Sequence, residues 1–279
     1  MRHLGDREAR LQGIYWVEDA GPCCGVYVLD GGQTLIDAGN MYGLVDEIRD
    51  LVPISELERV ILTHCHFDHV GGLAEIYQAA NPDLYMHRIT RGYLDFHRAP
   101  FPEFFAALEK AGKIKYLGDG DVLPGENEMQ VFYTPGHTAG DICIFIPGSG
   151  TLASGDLVLG ADHPYGLVLS KPDEVCGGRM KDRIDSLKRL LKLDVRTLLP
   201  GHGSPVIENG YDQIKIQLLE TFRIMHGKDS PEPWVKMAEV LADGIDIDGA
   251  IDCCERALKI EKDCGEARRI LKEIQSPQS

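Results

Sequence analysis

The feature that most constrains this chain is a dense run of possible metal ligands directly after a short apolar strand. Val60, Ile61 and Leu62 predict a fully buried strand, and residues 63–69 read THCHFDH. A buried histidine needs a hydrogen-bond partner of its own, so three histidines and an aspartate in one run are difficult to explain by packing. Imidazole and carboxylate groups together suit zinc, iron or manganese. The candidate ligands are His64, His66, Asp68 and His69.

The same arrangement, an apolar strand followed by a glycine-containing loop that carries a histidine or an aspartate, occurs three more times. Residues 131–133, 151–153 and 195–199 predict the strands. This alternation is typical of mixed α/β folds, which place their chemistry on loops at strand ends. Seven candidate ligands in all suit two metal ions that share a bridging carboxylate and a bridging hydroxide. The further candidates are His137, Asp156 and His202.

Four motifs, in this order along the chain, resemble those of the metallo-β-lactamase superfamily and especially its hydroxyacylglutathione-hydrolase-like (glyoxalase II-like) branch. They are THCHFDHVGG at 63–72, TPGHTAGD at 134–141, SGD at 154–156 and PGHG at 200–203. The resemblance covers residues from about 12 to 212. It implies an α/β fold in four layers, the αβ/βα sandwich, with the metals at one edge.

The resemblance also implies how the ligands divide between two divalent metal ions. Zn²⁺ is the expected metal, with iron or manganese as alternatives. Asp156 is expected to bridge both ions, and Asp68 to orient the attacking water or accept its proton in addition to binding metal. The two expected groups of unshared ligands are His64, His66 and His137 for one ion, and Asp68, His69 and His202 for the other.

Other residues are candidates for supporting roles near the site. Asp37, in the sequence LIDAG, matches a conserved acid of the family and is predicted to hold the far nitrogen of a ligand histidine. The alternative is an aspartate that only stabilises the turn after its strand. His163 and Tyr165 follow Asp156 and are predicted to line the substrate pocket. The aromatic stretch 93–105 is predicted to be a loop that either covers the metals or packs on the core.

Four functions are compatible with the resemblance, because one fold supports many reactions. The main prediction is a metal-dependent hydrolase in which metal-bound hydroxide attacks the thioester or ester carbonyl of a small substrate. The segment after Asp156 does not resemble the glutathione-contact region of glyoxalase II, so the sequence does not identify the thiol part of a thioester substrate. The alternative is a mono-iron persulfide dioxygenase, with iron held by His64, His137 and Asp156. A nuclease of the same superfamily and a non-catalytic partner-binding module are the remaining two.

The acidic composition argues against a nucleic-acid substrate. The 279 residues carry 44 acidic and 29 basic side chains, and this formal net charge of −15 repels phosphate backbones and anionic membrane surfaces. No apolar run approaches the ~18–20 residues of a membrane span, and the N-terminal residues lack the apolar stretch of a signal peptide. We therefore expect a cytoplasmic protein with reduced cysteines and a small-molecule substrate, and no membrane partner.

The character of the sequence changes at about residue 213, where strand signals end and helical periodicity begins. This change predicts a metal-hydrolase domain over residues 1–212 and a helical extension over residues 213–279. Residues 231–264 fit the tetratricopeptide pattern of ~34 residues, except that Lys262 stands where the pattern has proline. A single hairpin of this kind cannot bury its own apolar face. We therefore expect it to pack on the main domain, on a second copy of the chain in a homodimer, or on a protein partner.

Overall fold

The structure is a computed structural model, and it describes most of the chain in two compact units. The first unit comprises residues 1–186 and 194–213, and the second comprises residues 187–193 and 214–279. His163 and Tyr165, the predicted pocket residues, lie outside the described residues. The described residues are 2–18, 24–40, 43–50, 52–95, 101–126, 128–162, 171–243 and 246–276.

The first unit contains two β-sheets, and the larger has seven described strands in chain order. These strands are β1 (Arg2–His3), β2 (Tyr15–Val17), β3 (Val26–Leu29), β4 (Thr34–Ile36), β5 (Arg59–Ile61), β6 (Asp83–His87) and β7 (Ile114–Leu117). Neighbours from β1 to β4 are antiparallel, and neighbours from β4 to β7 are parallel. β3 and β4 form an antiparallel pair joined by a tight turn at Asp30–Gly32.

The second sheet has five described strands and contributes the other ligand-bearing loops. The strands are β8 (Val122–Leu123), β9 (Met129–Tyr133), β10 (Ile142–Ile146), β11 (Thr151–Gly155) and β12 (Thr197–Pro200). Their order across the sheet is β12–β11–β10–β9–β8. Only the β11–β12 pair is parallel among these described strands, and the other neighbours are antiparallel.

Alternation of side chains along β3 shows how the layers are built. Val26 and Val28 point into a core shared with the helices, whereas Tyr27 and Leu29 point into a core shared with the second sheet. This period of two is what a strand buried on both faces requires. The two sheets therefore pack face to face with helices outside, which confirms the predicted α/β sandwich. The described α-helices that begin in the first unit are α1 (Leu44–Arg49), α2 (Phe67–Val70), α3 (Leu73–Ala79), α4 (Arg88–Leu94), α5 (Phe101–Lys110), α6 (Met180–Leu190) and α7 (Gly210–His226).

The prediction that the aromatic stretch 93–105 is a loop is wrong for the part that the structure describes. That part belongs mainly to α4 and α5. Phe101, Phe105 and Leu108 recur at helical spacing, so one face of α5 is apolar. Phe105 is fully buried, and Phe101 packs against the same core. Burial of this face outweighs a composition that resembles a loop.

The second unit is helical, as the sequence predicts for the C-terminal region. Its described helices include α8 (Glu232–Ala242), α9 (Ile247–Ile260) and α10 (Gly265–Gln275), and each of these three packs on the other two. Asp246 begins α9 by accepting a hydrogen bond from the backbone N–H of Gly249 at 2.8 Å, and it forms an ion pair with Lys215, also at 2.8 Å. Within the described residues, no helix is both long enough and apolar enough to cross a membrane.

Candidate metal centre

The seven candidate ligands follow four strands, which belong to both sheets, and two of the ligands lie in the short helix α2. His64, His66, Asp68 and His69 follow β5, and the short helix α2 begins directly after His66. His137 follows β9, Asp156 comes directly after β11, and His202 follows β12. The sandwich brings the ends of these strands together, so residues far apart in the sequence meet at one edge.

The ligand atoms form two adjacent groups, and Asp156 lies between them. Within each group the ligand atoms all lie within 4.8 Å of one another. Oδ2 of Asp156 is 3.6 Å from Nε2 of His137 and 3.5 Å from Nε2 of His202. Oδ1 of Asp156 is 3.3 Å from Nε2 of His69, so one carboxylate faces both groups. The groups are His64, His66, His137 and Asp156, and Asp68, His69 and His202.

Buried polar atoms without a hydrogen-bond partner show that this cluster fits metal ions. Nε2 of His64, Nε2 of His69 and Oδ1 of Asp156 are buried, and none of them makes a hydrogen bond. An unsatisfied buried polar atom costs about 1–3 kcal/mol, whereas a bound cation would use these lone pairs. Imidazole nitrogens and carboxylate oxygens are common ligands of divalent metals. These residues therefore form a metal-binding site of histidines and aspartates.

Electrostatic interactions favour the metal-binding protonation states of several ligands. Burial raises the pKa of Asp156, but the neighbouring histidines, His69 above all, outweigh burial and hold this pKa well below its usual range. Burial also raises the pKa of Asp68, and the hydrogen bond with Nε2 of His202 at 2.9 Å brings it below the usual value. Burial and then the charge of His69 lower the pKa of His64. Ionised carboxylates and a neutral imidazole are the forms that bind metal.

Asp37 lies behind the ligands and anchors two of them. Its Oδ2 accepts a hydrogen bond from Nδ1 of His69 at 2.8 Å, and its two oxygens accept from the backbone N–H and the hydroxyl of Thr63, both at 2.8 Å. The Thr63 hydroxyl oxygen lies 3.0 Å from Nδ1 of His64. Asp37 therefore orients His69 directly and His64 through Thr63, and Nε2 of both rings faces the metal site.

Gly201 permits a close approach of the backbone to two of the candidate ligands. A Cβ atom at this position would lie 2.2 Å from Oδ1 of Asp156 and 2.8 Å from Cε1 of His69. Both distances are shorter than van der Waals contact, so a larger residue would displace the carboxylate or the imidazole. The glycine of the motif at 200–203 is therefore required by the shape of the metal centre.

Three polar residues around the centre were missed by sequence reasoning. Asp173 contacts the ligand His66, with 2.9 Å between Oδ2 and Nε2. Asp141 is buried and accepts a backbone hydrogen bond from Thr138 at 2.7 Å, and burial raises its pKa to about 7. Arg183 is buried near Asp141, and burial lowers its pKa to about 10. Asp141 ends the motif at 134–141 and could have been found there, whereas Asp173 and Arg183 belong to no motif.

The comparison with known proteins agrees with this geometry. A family model described as the metallo-beta-lactamase superfamily matches residues 22–202. The probable metallo-hydrolase YqjP of Bacillus subtilis (strain 168) is 27% identical over 244 residues, which cover 73% of this chain and 76% of YqjP. The acyl-coenzyme A thioesterase MBLAC2 of Bos taurus is 28% identical over 237 residues, which cover 72% of this chain and 80% of MBLAC2.

Solved structures show the same fold. The metallo-beta-lactamase superfamily protein ST1585 from Sulfolobus tokodaii superimposes with a TM-score of 0.58 at 19% identity, over 88% of this chain and 98% of ST1585. The protein TTHA1623, solved in a di-iron-bound form, superimposes with a TM-score of 0.50 at 26% identity, over 71% of this chain and 96% of TTHA1623. The similarity to ST1585 shows the fold alone, whereas TTHA1623 was solved with bound iron.

Proposed function

Because this chain belongs to the metallo-beta-lactamase superfamily, we propose that it is a metal-dependent hydrolase of a small thioester or ester, similar to the glyoxalase II-like branch. The observation that carries the proposal is the pair of ligand groups on either side of Asp156. Two cations that share one carboxylate suit the attack of hydroxide on a carbonyl carbon.

Zinc is the metal that we propose, in two ions per chain. Bound zinc would supply a water of pKa ~7 and a Lewis acid for the substrate carbonyl. Asp156 would contact both ions. The unshared ligands would be His64, His66 and His137 for one ion, and Asp68, His69 and His202 for the other.

Asp68 is the residue that we propose as the proton acceptor. Its side chain is 26% exposed, whereas that of Asp156 is 4% exposed. The hydrogen bond with His202 favours the ionised form of Asp68 and fixes its direction. Asp68 is therefore better placed than Asp156 to accept a proton from the attacking water on the substrate side.

Two observations support a thioester with an apolar acyl group. The MBLAC2 relatives are named acyl-coenzyme A thioesterases and align over most of this chain. Phe67, between the ligands His66 and Asp68, is 44% exposed and packs edge-to-face on Phe101 with 5.5 Å between ring centroids. An exposed phenyl ring held in place beside the metal ligands offers an acyl chain an apolar surface.

The second candidate function is oxygen chemistry at a single iron. His64, His137 and Asp156 alone make a set of two histidines and one carboxylate, which suits non-haem iron. The di-iron form of TTHA1623 supports iron as a metal for a related site. The second ligand group, Asp68, His69 and His202, favours the two-metal hydrolase, because one iron does not require it.

Metal analysis and turnover of a substrate panel test the proposal. We expect about two zinc ions per chain and hydrolysis of acyl-coenzyme A, acyl-glutathione or simple ester substrates. His66→Ala should lose metal and turnover, whereas His226→Ala, which removes an exposed imidazole at the end of α7, should keep both. Turnover retained by His66→Ala would contradict the two-metal assignment. A content of one iron per chain, together with O₂ uptake when a persulfide is added, would favour the second candidate function over hydrolysis.

A further inference from the structure

A short segment, residues 171–178, crosses behind two of the ligand histidines. The carbonyl oxygen of Lys171 is 2.9 Å from Nδ1 of His137, and Oδ2 of Asp173 is 2.9 Å from Nε2 of His66. The backbone of this segment also contacts the loop that carries His137, because the N–H of Asp173 donates to the carbonyl of His137 at 2.7 Å. One segment therefore contacts both histidines on the side away from the metal site.

His66 is oriented differently from the other ligands that have a partner behind them. His64, His69 and His137 direct Nδ1 toward that partner and Nε2 toward the site. His66 directs Nε2 toward Asp173, and its Nδ1 lies 3.0 Å from Nε2 of His137. Because an ionised carboxylate only accepts hydrogen bonds, the contact with Asp173 requires a proton on Nε2. The neutral ring then carries its free lone pair on Nδ1, which faces the site.

We propose that Asp173 is a positioning residue that holds His66 in the Nε2–H form and so presents Nδ1 to the metal. This inference rests on the metal-binding part of the proposed function and not on the choice of substrate. Carboxylates behind ligand histidines fix the ring and its tautomer in many metal sites, and their loss weakens metal binding by about 10–100-fold.

The carboxylate of Asp173 is itself fixed by its own segment. Oδ1 accepts hydrogen bonds from the backbone N–H groups of Val175 at 2.9 Å and Cys176 at 3.4 Å, while Oδ2 contacts His66. The N–H of Gly178 donates to the carbonyl of Asp173 at 2.8 Å and closes the turn. The position of Oδ2 is therefore set by the backbone rather than by a freely rotating side chain.

The substitution Asp173→Asn separates positioning from a purely structural role. An asparagine oxygen can still accept from Val175 and Cys176, but the amide NH₂ then faces Nε2 of His66. The amide NH₂ and an Nε2–H group would both be donors, so His66 would favour the tautomer with its proton on Nδ1. Nδ1 would then have no free lone pair to offer the metal. We expect Asp173→Asn and Asp173→Ala each to bind metal at the His66 group about 10–100-fold more weakly. The control Glu174→Gln removes an equal charge from an exposed neighbour and should stay within about twofold of the parent.

The affinity is measured by competition between the protein and a chromophoric chelator for Zn²⁺, with stoichiometry from elemental analysis. Nitrogen-15 spectra of the zinc-loaded parent should show His66 with a proton on Nε2 and metal on Nδ1. Unchanged affinity in Asp173→Asn, or a spectrum with metal on Nε2 of His66, would overturn the proposal. Neither measurement needs a substrate, so a protein that shows both effects but hydrolyses nothing would refute the proposed hydrolysis and leave the role of Asp173 intact.

Discussion

Each ligand histidine has two ring nitrogens, and the partner of the far nitrogen determines how the near one meets the metal. Asp37 has this role for His69 and, through Thr63, for His64. Its φ of 58° lies in the left-handed region, which aspartate and asparagine tolerate better than most residues. Asp37→Asn therefore changes the hydrogen bonds without adding backbone strain.

We expect Asp37→Asn to weaken metal binding and turnover by about 10–100-fold, because an amide cannot accept all the hydrogen bonds that the carboxylate accepts. The measurement is metal content after dialysis against a weak chelator, together with turnover at saturating zinc. The matched control is Asp30→Asn. Asp30 is also buried with a φ of 53°, but it accepts hydrogen bonds from Thr34 and Glu126. Metal loss in Asp30→Asn equal to that in Asp37→Asn would show that the effect is general destabilisation.

Gly201→Ala should remove metal because the added methyl group occupies the space of Oδ1 of Asp156 and Cε1 of His69. We expect less than one bound ion in place of about two, with far-ultraviolet circular dichroism unchanged. Gly92→Ala is the control, because a Cβ atom at Gly92 meets nothing within 4 Å. Alanine in the interior of α4 should stabilise the protein by about 0.5–1 kcal/mol. A Gly201→Ala protein with full metal content would show that the loop can shift without cost.

The clustering of the seven candidate ligands could be predicted at the residue scale, because each stands in a local pattern, an apolar strand followed by a glycine-containing loop. Asp173 could not be predicted, since nothing near it in the sequence indicates that the fold will place it against His66. Its role depends on a contact between distant segments, and such contacts are invisible to periodicity and spacing. The predicted pocket roles of His163 and Tyr165 stay predictions.

At the scale of elements, strands were easier to predict than the helix α5. Short apolar runs bounded by glycine and polar residues predict strands directly, and β5, β9, β11 and β12 lie where the sequence predicts such strands. In α5, aromatic side chains suggested an irregular loop, but Phe101, Phe105 and Leu108 lie on one helical face and pack on the core. Tertiary burial therefore decided the conformation of a segment whose composition is ambiguous.

The beginning of α9 gives a prediction about stability and pH. Asp246 caps this helix at Gly249 and pairs with Lys215, and the Lys215 hydrogen bond is the main cause that lowers the pKa of Asp246. We expect Asp246→Ala to reduce the free energy of unfolding by about 0.5–2 kcal/mol at pH 7. Asp246→Asn should reduce the free energy of unfolding by less than Asp246→Ala does, because an amide oxygen still caps the helix.

The sign of the pH effect follows from the lowered pKa. The Asp246 carboxylate stabilises the folded state fully above its unfolded pKa of about 3.9, and the contribution is lost as the pH falls through the lower folded value. Urea unfolding of the parent and Asp246→Asn from pH 7 to pH 3 measures this difference. A difference in unfolding free energy between the two proteins that increases as the pH falls would contradict the assignment.

At the scale of the whole molecule, the boundary between the compact units has a consequence for truncation. The second unit includes residues 187–193, the end of α6, together with the C-terminal helices. Leu187, Leu190 and Leu191 are buried, so a chain that ends at residue 213 would leave them without the rest of their unit. We expect this truncation to aggregate, and the soluble fraction after expression measures it. A monomeric and fully active truncation would indicate that the C-terminal helices only dock a partner.

Because the candidate ligands follow strands of both sheets, bound metal ions would act as non-covalent cross-links between the sheets. One ligand run follows β5 of the first sheet, and His137, Asp156 and His202 follow strands of the second. The candidate ligands come together only in the folded chain, so an ion held by residues of both sheets would stabilise the folded state and be released on unfolding. At free zinc about 100-fold above the dissociation constant, binding adds about 2.7 kcal/mol to stability. The unfolding midpoint of the first unit should therefore rise with the free zinc concentration and fall when the metal is removed by a chelator.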